Sequence, residues 1–140
     1  MKKYLPLVAA LVLSSGTVAA QSFDDAFNSQ RALHGNGHTF TFEGQDYTTD
    51  HPEELEAAAD ATEANAKALI ASAKAKRKEV IAIGYDWTLT KGILKSADKA
   101  LKAGDFQKAM NLAAQAKYHA RMGISQYHSS AQEWINIVPQ

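Results

Sequence analysis

Lys99-Ala100-Leu101-Lys102-Ala103-Gly104-Asp105-Phe106-Gln107-Lys108-Ala109-Met110 is the stretch that decides the fold. Lys99 and Lys102 suit the carbonyl end of a helix, where the dipole is negative. Gly104 suits the left-handed residue that closes a helix, and Asp105 suits the cap of the next one. Two helices are therefore expected to meet at 104–105.

Upstream of that turn, alternating steps of three and four residues lead from Leu101 back to Leu55. They pass Ala97, Leu94, Trp87, Ile83, Val80, Ala73, Leu69 and Ala66, and the only charged position on the row is Lys76. A 3.5-residue spacing held from 55 to 101 predicts the seam of a coiled coil or helical bundle. Pro52 opens the helix, followed by Glu53, Glu54 and Glu56 at its positive end. Gly84 and Gly92 each cost roughly 1 kcal/mol relative to Ala inside a helix. A break at Gly84 would give two helices, but the unbroken phase favours one rod or a mild kink.

Downstream, Phe106, Met110, Ala113, Lys117, Ala120, Ile124, Tyr127, Ala131, Trp134 and Val138 repeat the spacing up to Pro139. The expected fold class is all-α: an antiparallel helical hairpin or a three-helix bundle with long helices, occupying 52–140. Equal distances from the turn place Trp87 near Ala120 and Arg121, and Trp134 near Ala73. Residues 52–71 then overhang the shorter second arm.

Residues 21–51 differ. His34-Gly35-Asn36-Gly37-His38 has loop composition, and Thr39-Phe40-Thr41-Phe42 with Gln45-Asp46-Tyr47-Thr48 alternates around a Gly turn. The segment reads as an acidic loop with a short β-hairpin, which has to dock on something to be stable. At the N-terminus, Lys2 and Lys3, an apolar run from Leu5 to Leu13 and Val18-Ala19-Ala20 form the three regions of a cleavable signal peptide spanning 1–20. The apolar run is far shorter than the roughly 20 residues a membrane span needs. The expected location is the periplasm.

Cysteine is absent from the 140 residues, which excludes disulfides, a thiolate nucleophile and covalent c-type haem attachment. Net charge is zero, but unevenly spread: residues 21–63 hold ten acids and one base, and residues 64–140 hold five acids and twelve bases. A basic surface can meet nucleic acid, anionic lipid or an acidic protein partner, and export argues against nucleic acid. The alternative is that the two halves attract each other. Lys74, Lys76, Arg77 and Lys78 form a tight cluster, while Lys91, Lys95, Lys99 and Lys102 form a stripe on one helical face; these, with Trp87 as an aromatic anchor, are the candidate partner-binding residues. No Ser-His-Asp grouping, phosphate loop or paired catalytic carboxylates stand out, so the chain is expected not to be an enzyme and to carry no cofactor. His34, His38 and His51 are too few and too loosely spaced for a metal site without a further ligand, and a small His-based metal carrier remains a minor alternative.

Gly84-Tyr85-Asp86-Trp87-Thr88, followed by Ile93-Leu94-Lys95-Ser96-Ala97-Asp98-Lys99-Ala100-Leu101-Lys102-Ala103-Gly104-Asp105-Phe106, resembles the SoxXA-binding proteins over roughly residues 55–128. Those are small, lysine-rich exported helical proteins that accompany the SoxXA c-type cytochrome. Ala-Gly-Asp-Phe-x-x-Ala also opens the second helix of many tetratricopeptide-like hairpins. The resemblance implies a non-catalytic accessory subunit that binds the cytochrome in thiosulfate oxidation. The alternative is a coiled-coil protein of the cell envelope that self-associates through the exposed seam.

Overall fold

The computed structural model describes residues 21–137, with side chains through Ser130. Residues 1–20, expected to be a signal peptide, and the side chain of Trp134 lie outside the described residues. The elements are α1 (Phe23–His34), β1 (Thr39–Phe42), β2 (Gln45–Thr48), α2 (Pro52–Ala57), α3 (Glu63–Ala82), α4 (Thr88–Lys102) and α5 (Phe106–Ile137). The described residues are thus mostly helical, with one two-stranded antiparallel sheet pairing Phe40 with Tyr47. No described helix is long and apolar enough to cross a membrane.

The first correction concerns 21–38, expected to be loop. Residues 23–34 are helix, capped by Ser22, whose Oγ accepts from Asp25 N. Asp24 and Asp25 occupy its positive end, and Arg31 and His34 its negative end. This helix is what the hairpin docks on. Phe23 meets Phe40, Phe42 and Tyr47 with ring centroids 4.8–6.1 Å apart, and Phe27 meets Phe40.

The second correction concerns the rod expected over 52–103. It is broken twice. α2 ends at Ala57, and Thr62 caps α3 by accepting from Asn65 N. α3 then ends at Ala82, and Gly84, with φ 77°, closes it. There Gly84 N donates to Ile81 O and Tyr85 N to Val80 O. That is the pair of bonds by which a left-handed glycine closes a helix. Gly104, also at φ 77°, closes α4 in the same way, with Gly104 N on Leu101 O and Asp105 N on Ala100 O. Asp105 Oδ1 then accepts from Lys108 N and starts α5.

α5 packs against α2, α3 and α4, and α3 packs against α4. Glu53 meets Arg121 and Glu56 meets Lys117, so α2 descends along α5. α3 climbs back, with Val80 reaching Gly123. The core between them is built largely of alanines: Ala66, Ala73, Ala97, Ala109, Ala113 and Ala116 are fully buried, with Met110 the largest fully buried side chain. Alanine faces let helix axes approach to the short end of the usual 8–10 Å. Burying these residues within one chain leaves little of the expected seam on the surface, and Leu55, its first member, is 56% exposed for a different reason: α2 turns its other side to α5.

Candidate functional site

The break at Gly84 folds α4 back beside α3 and thereby gathers two groups of cations that lie far apart in sequence. Lys74, Arg77 and Lys78 from α3 and Lys91 and Lys95 from α4 line a groove of about 300 Å³. Ile81 and Leu94 give it an apolar floor, and Asp98 is the one carboxylate in its wall. Lys74 Nζ bridges Asp98 at 2.9 Å. Arg77 holds Asp86 through Nε and Nη2, tying the loop after Gly84 to α3. Lys78, Lys91 and Lys95 form no ion pair among the described residues. These three cations are left without a close carboxylate partner on the groove wall.

Four of the sequence candidates stand apart from this groove. Lys76 pairs with Glu79 three residues on. Lys99 and Lys102 are exposed near the end of α4. Trp87 turns toward α5, where its Nε1 donates to Gln126 Oε1 at 3.1 Å and its ring lies 5.1 Å from that of His119. It is a half-buried packing residue rather than an anchor in the groove.

A second concavity, of about 500 Å³, lies between α2, α5 and the α1–β1 loop. Its carboxylates are spoken for. Glu53 accepts from Arg121 Nε and Nη2, and Glu54 accepts from both terminal nitrogens of Arg31. Arg31 also donates to Thr49 O, so one guanidinium joins α1, the end of the hairpin and α2. Burial alone would push the Glu53 carboxyl up, but Arg121 and a backbone N–H together outweigh it and the group ends below its ordinary range. Glu54 is held below its range chiefly by Arg31. His51 lies against Phe27 and Tyr118, with ring centroids 5.4 and 4.6 Å away, and burial together with Arg31 pushes its imidazole down.

His34 and His38 do come together, with rings 4.0 Å apart, while His51 is held elsewhere by its aromatic neighbours. No group of three or more His, Cys, Asp or Glu suited to a metal ion occurs among the described residues. His119 is a different case: its Nδ1 is buried without a hydrogen-bond partner, and burial lowers its pKa.

The chain matches no protein-family model, no curated protein and no solved structure.

Proposed function

We propose that the chain is a non-catalytic periplasmic accessory protein, a helical bundle carrying a small helix-and-hairpin module, that docks on an acidic face of a SoxXA c-type cytochrome in thiosulfate oxidation. The groove between α3 and α4 carries the docking half of this reading, because five cations there face one carboxylate over an apolar floor. The likeness of residues 84–106 to the SoxXA-binding proteins supplies the partner. A rim of lysines around an apolar patch raises the association rate first and contributes less to affinity.

The test is to capture purified SoxXA cytochrome on the chain and follow binding as salt rises. The Debye length falls from about 10 Å at 0.1 M to about 3 Å at 1 M, so on-rate and affinity should both drop. Binding that ignores salt, or no binding of the cytochrome at any salt, overturns the proposal.

A second reading is favoured by one observation. Asp24 and Asp25 on α1, and Glu43 and Asp46 on the hairpin, form no ion pairs among the described residues, while unpaired lysines line α4. Opposite charges on separate elements favour head-to-tail self-association, which would appear as a larger mass by light scattering at low salt and a monomer at high salt.

A further inference from the structure

The cleft between α2 and α5 has walls of a kind that the basic groove lacks. Gln107, Asn111 and Gln115 stand four residues apart along α5, Tyr118 follows them, and Asn36 faces them from the α1–β1 loop. Ala57 and Ala114 are buried beneath them, and exposed Ala58 lines the edge. Gly35 and Gly37, at φ 77° and 73°, flank Asn36, and Gly37 N donates to Asp50 Oδ1. The loop is thus tied in a conformation that only glycine adopts readily, and it carries a carboxamide at the rim of the cleft.

These groups are oriented and partly unspent. Gln107 Nε2 donates to Ala57 O and to Asn111 Oδ1, both at 2.9 Å. That fixes both carboxamides and leaves Gln107 Oε1 as an acceptor and Asn111 Nδ2 as a donor. Charge offers a ligand little, because Glu53 and Glu54 are satisfied by Arg121 and Arg31. Stacking offers little too, since Tyr118 already has His51 at 4.6 Å and the Arg121 guanidinium at 5.3 Å. An ion would be repelled by one member of each pair, and an apolar molecule would strand the carboxamides.

We propose that this cleft binds a short, uncharged, extended peptide segment through the peptide's backbone amides. Spacing selects that class. Residues four apart on a helix rise about 6 Å, and every second residue of an extended chain advances about 6.6 Å, with its N–H and C=O on the same edge. Gln107 offers an acceptor, Asn111 a donor and Gln115 both, and these unspent ends match that repeat over two steps. The alanine floor accepts small side chains between them. A cleft of 500 Å³ is within the range of built ligand sites.

The experiment titrates the chain with an acetylated, amidated pentapeptide of alanine and glycine, observed through the side-chain amide resonances by NMR. The resonances of Asn111 and Gln115 should shift with saturation. An Asn111→Ala, Gln115→Ala double variant, at exposed positions where alanine favours helix, should weaken binding at least tenfold while keeping the wild-type circular dichroism spectrum. A Lys91→Glu, Lys95→Glu variant should bind the peptide unchanged, which separates this site from the basic groove. No shift with the peptide, undiminished binding by the alanine variant, or maltose producing the same shifts at lower concentration would each overturn the proposal.

Discussion

A Cβ on Gly123 would stand 2.6 Å from the carbonyl oxygen of Tyr85 and 2.7 Å from Val80 Cγ2. The end of α3 and the loop after it therefore rest directly on the backbone of α5, and one of the two contacts is with backbone that cannot swing aside. Overpacking at Gly123→Ala should cost about 1–3 kcal/mol, of which alanine's helical preference returns up to roughly 1 kcal/mol, leaving a net loss. Gly92 is the control, with nothing within 4 Å of its own Cβ position. Gly92→Ala should leave stability equal or raise it by up to about 1 kcal/mol. Urea unfolding of the two variants should move in opposite directions, and equal midpoints would refute the close contact.

Glu53 is the most buried charged side chain of α2, only 3% exposed, and Arg121 is its partner. Removing the guanidinium strands a carboxylate, whereas removing the carboxylate leaves a half-exposed cation that water can solvate. Arg121→Ala should therefore destabilise by about 3–5 kcal/mol. Glu53→Gln should cost clearly less, since its carboxamide still accepts a hydrogen bond. A thermal melt ranks the two, and the reverse order would mean that the pair is not what anchors α2.

How much of this was legible is best seen at the two helix-closing glycines. Gly104 was readable because Asp105 follows it as a cap and lysines precede it. Gly84 closes α3 with the same bonds, but the three-four spacing runs through it without a slip, and periodicity alone reads that as continuity. The consequence reaches the candidate site. On one rod, Lys74 and Lys91 would be about 25 Å apart. Folded back at Gly84, they line one groove. α1 was missed because its apolar residues find their partners across the hairpin rather than at helical spacing along a long seam. Gly123 did leave a trace: Ala113, Ala116, Ala120 and Gly123 make a row of small residues on one face of α5. The carboxamides at 107, 111 and 115 are also periodic, yet polar residues at helical spacing ordinarily mark a solvated face.

Gly84 itself gives a test of the break. Its left-handed φ costs a residue with a Cβ about 1–2 kcal/mol, and nothing lies within 4 Å to add a clash. Gly84→Ala should lose about that much stability, and Gly84→Asn less, because asparagine tolerates the conformation better. If alanine were neutral, α3 would be running on past Gly84 in solution.

Titration should reveal four groups in two windows. His51 and His119 are both pushed below their ordinary 6.5, each chiefly by burial. Their folded forms bind a proton less readily than the unfolded chain does. The stability they contribute is thus full above pH 6.5 and is lost as pH falls through their lowered values. Glu53 and Glu54 are likewise held below 4.5, so their contribution is present above that pH and fades beneath it. Unfolding free energy should decline in two stages on acidification. A His51→Gln, His119→Gln variant should lose the upper stage and keep the lower one; a two-stage curve in that variant would assign the upper stage to other groups.

The basic groove makes the most discriminating prediction, because its cations are not equivalent. Lys91 and Lys95 form no ion pairs among the described residues, whereas Lys74 is tied to Asp98 and Arg77 to Asp86. Exposed single charges contribute little to folding, so Lys91→Glu, Lys95→Glu should leave the melting temperature nearly unchanged. The same pair reverses the sign of one groove wall and should slow association with an acidic partner by tenfold or more at low salt, with the difference shrinking as salt rises. Arg77→Ala should behave in the opposite way. It frees Asp86 and the loop after Gly84, so stability falls, while the groove keeps most of its charge and the on-rate changes only modestly. On-rates measured by surface plasmon resonance beside melting curves separate the two outcomes. If charge reversal at 91 and 95 unfolded the protein, or left association with the cytochrome untouched, these lysines would belong to the fold rather than to a docking surface.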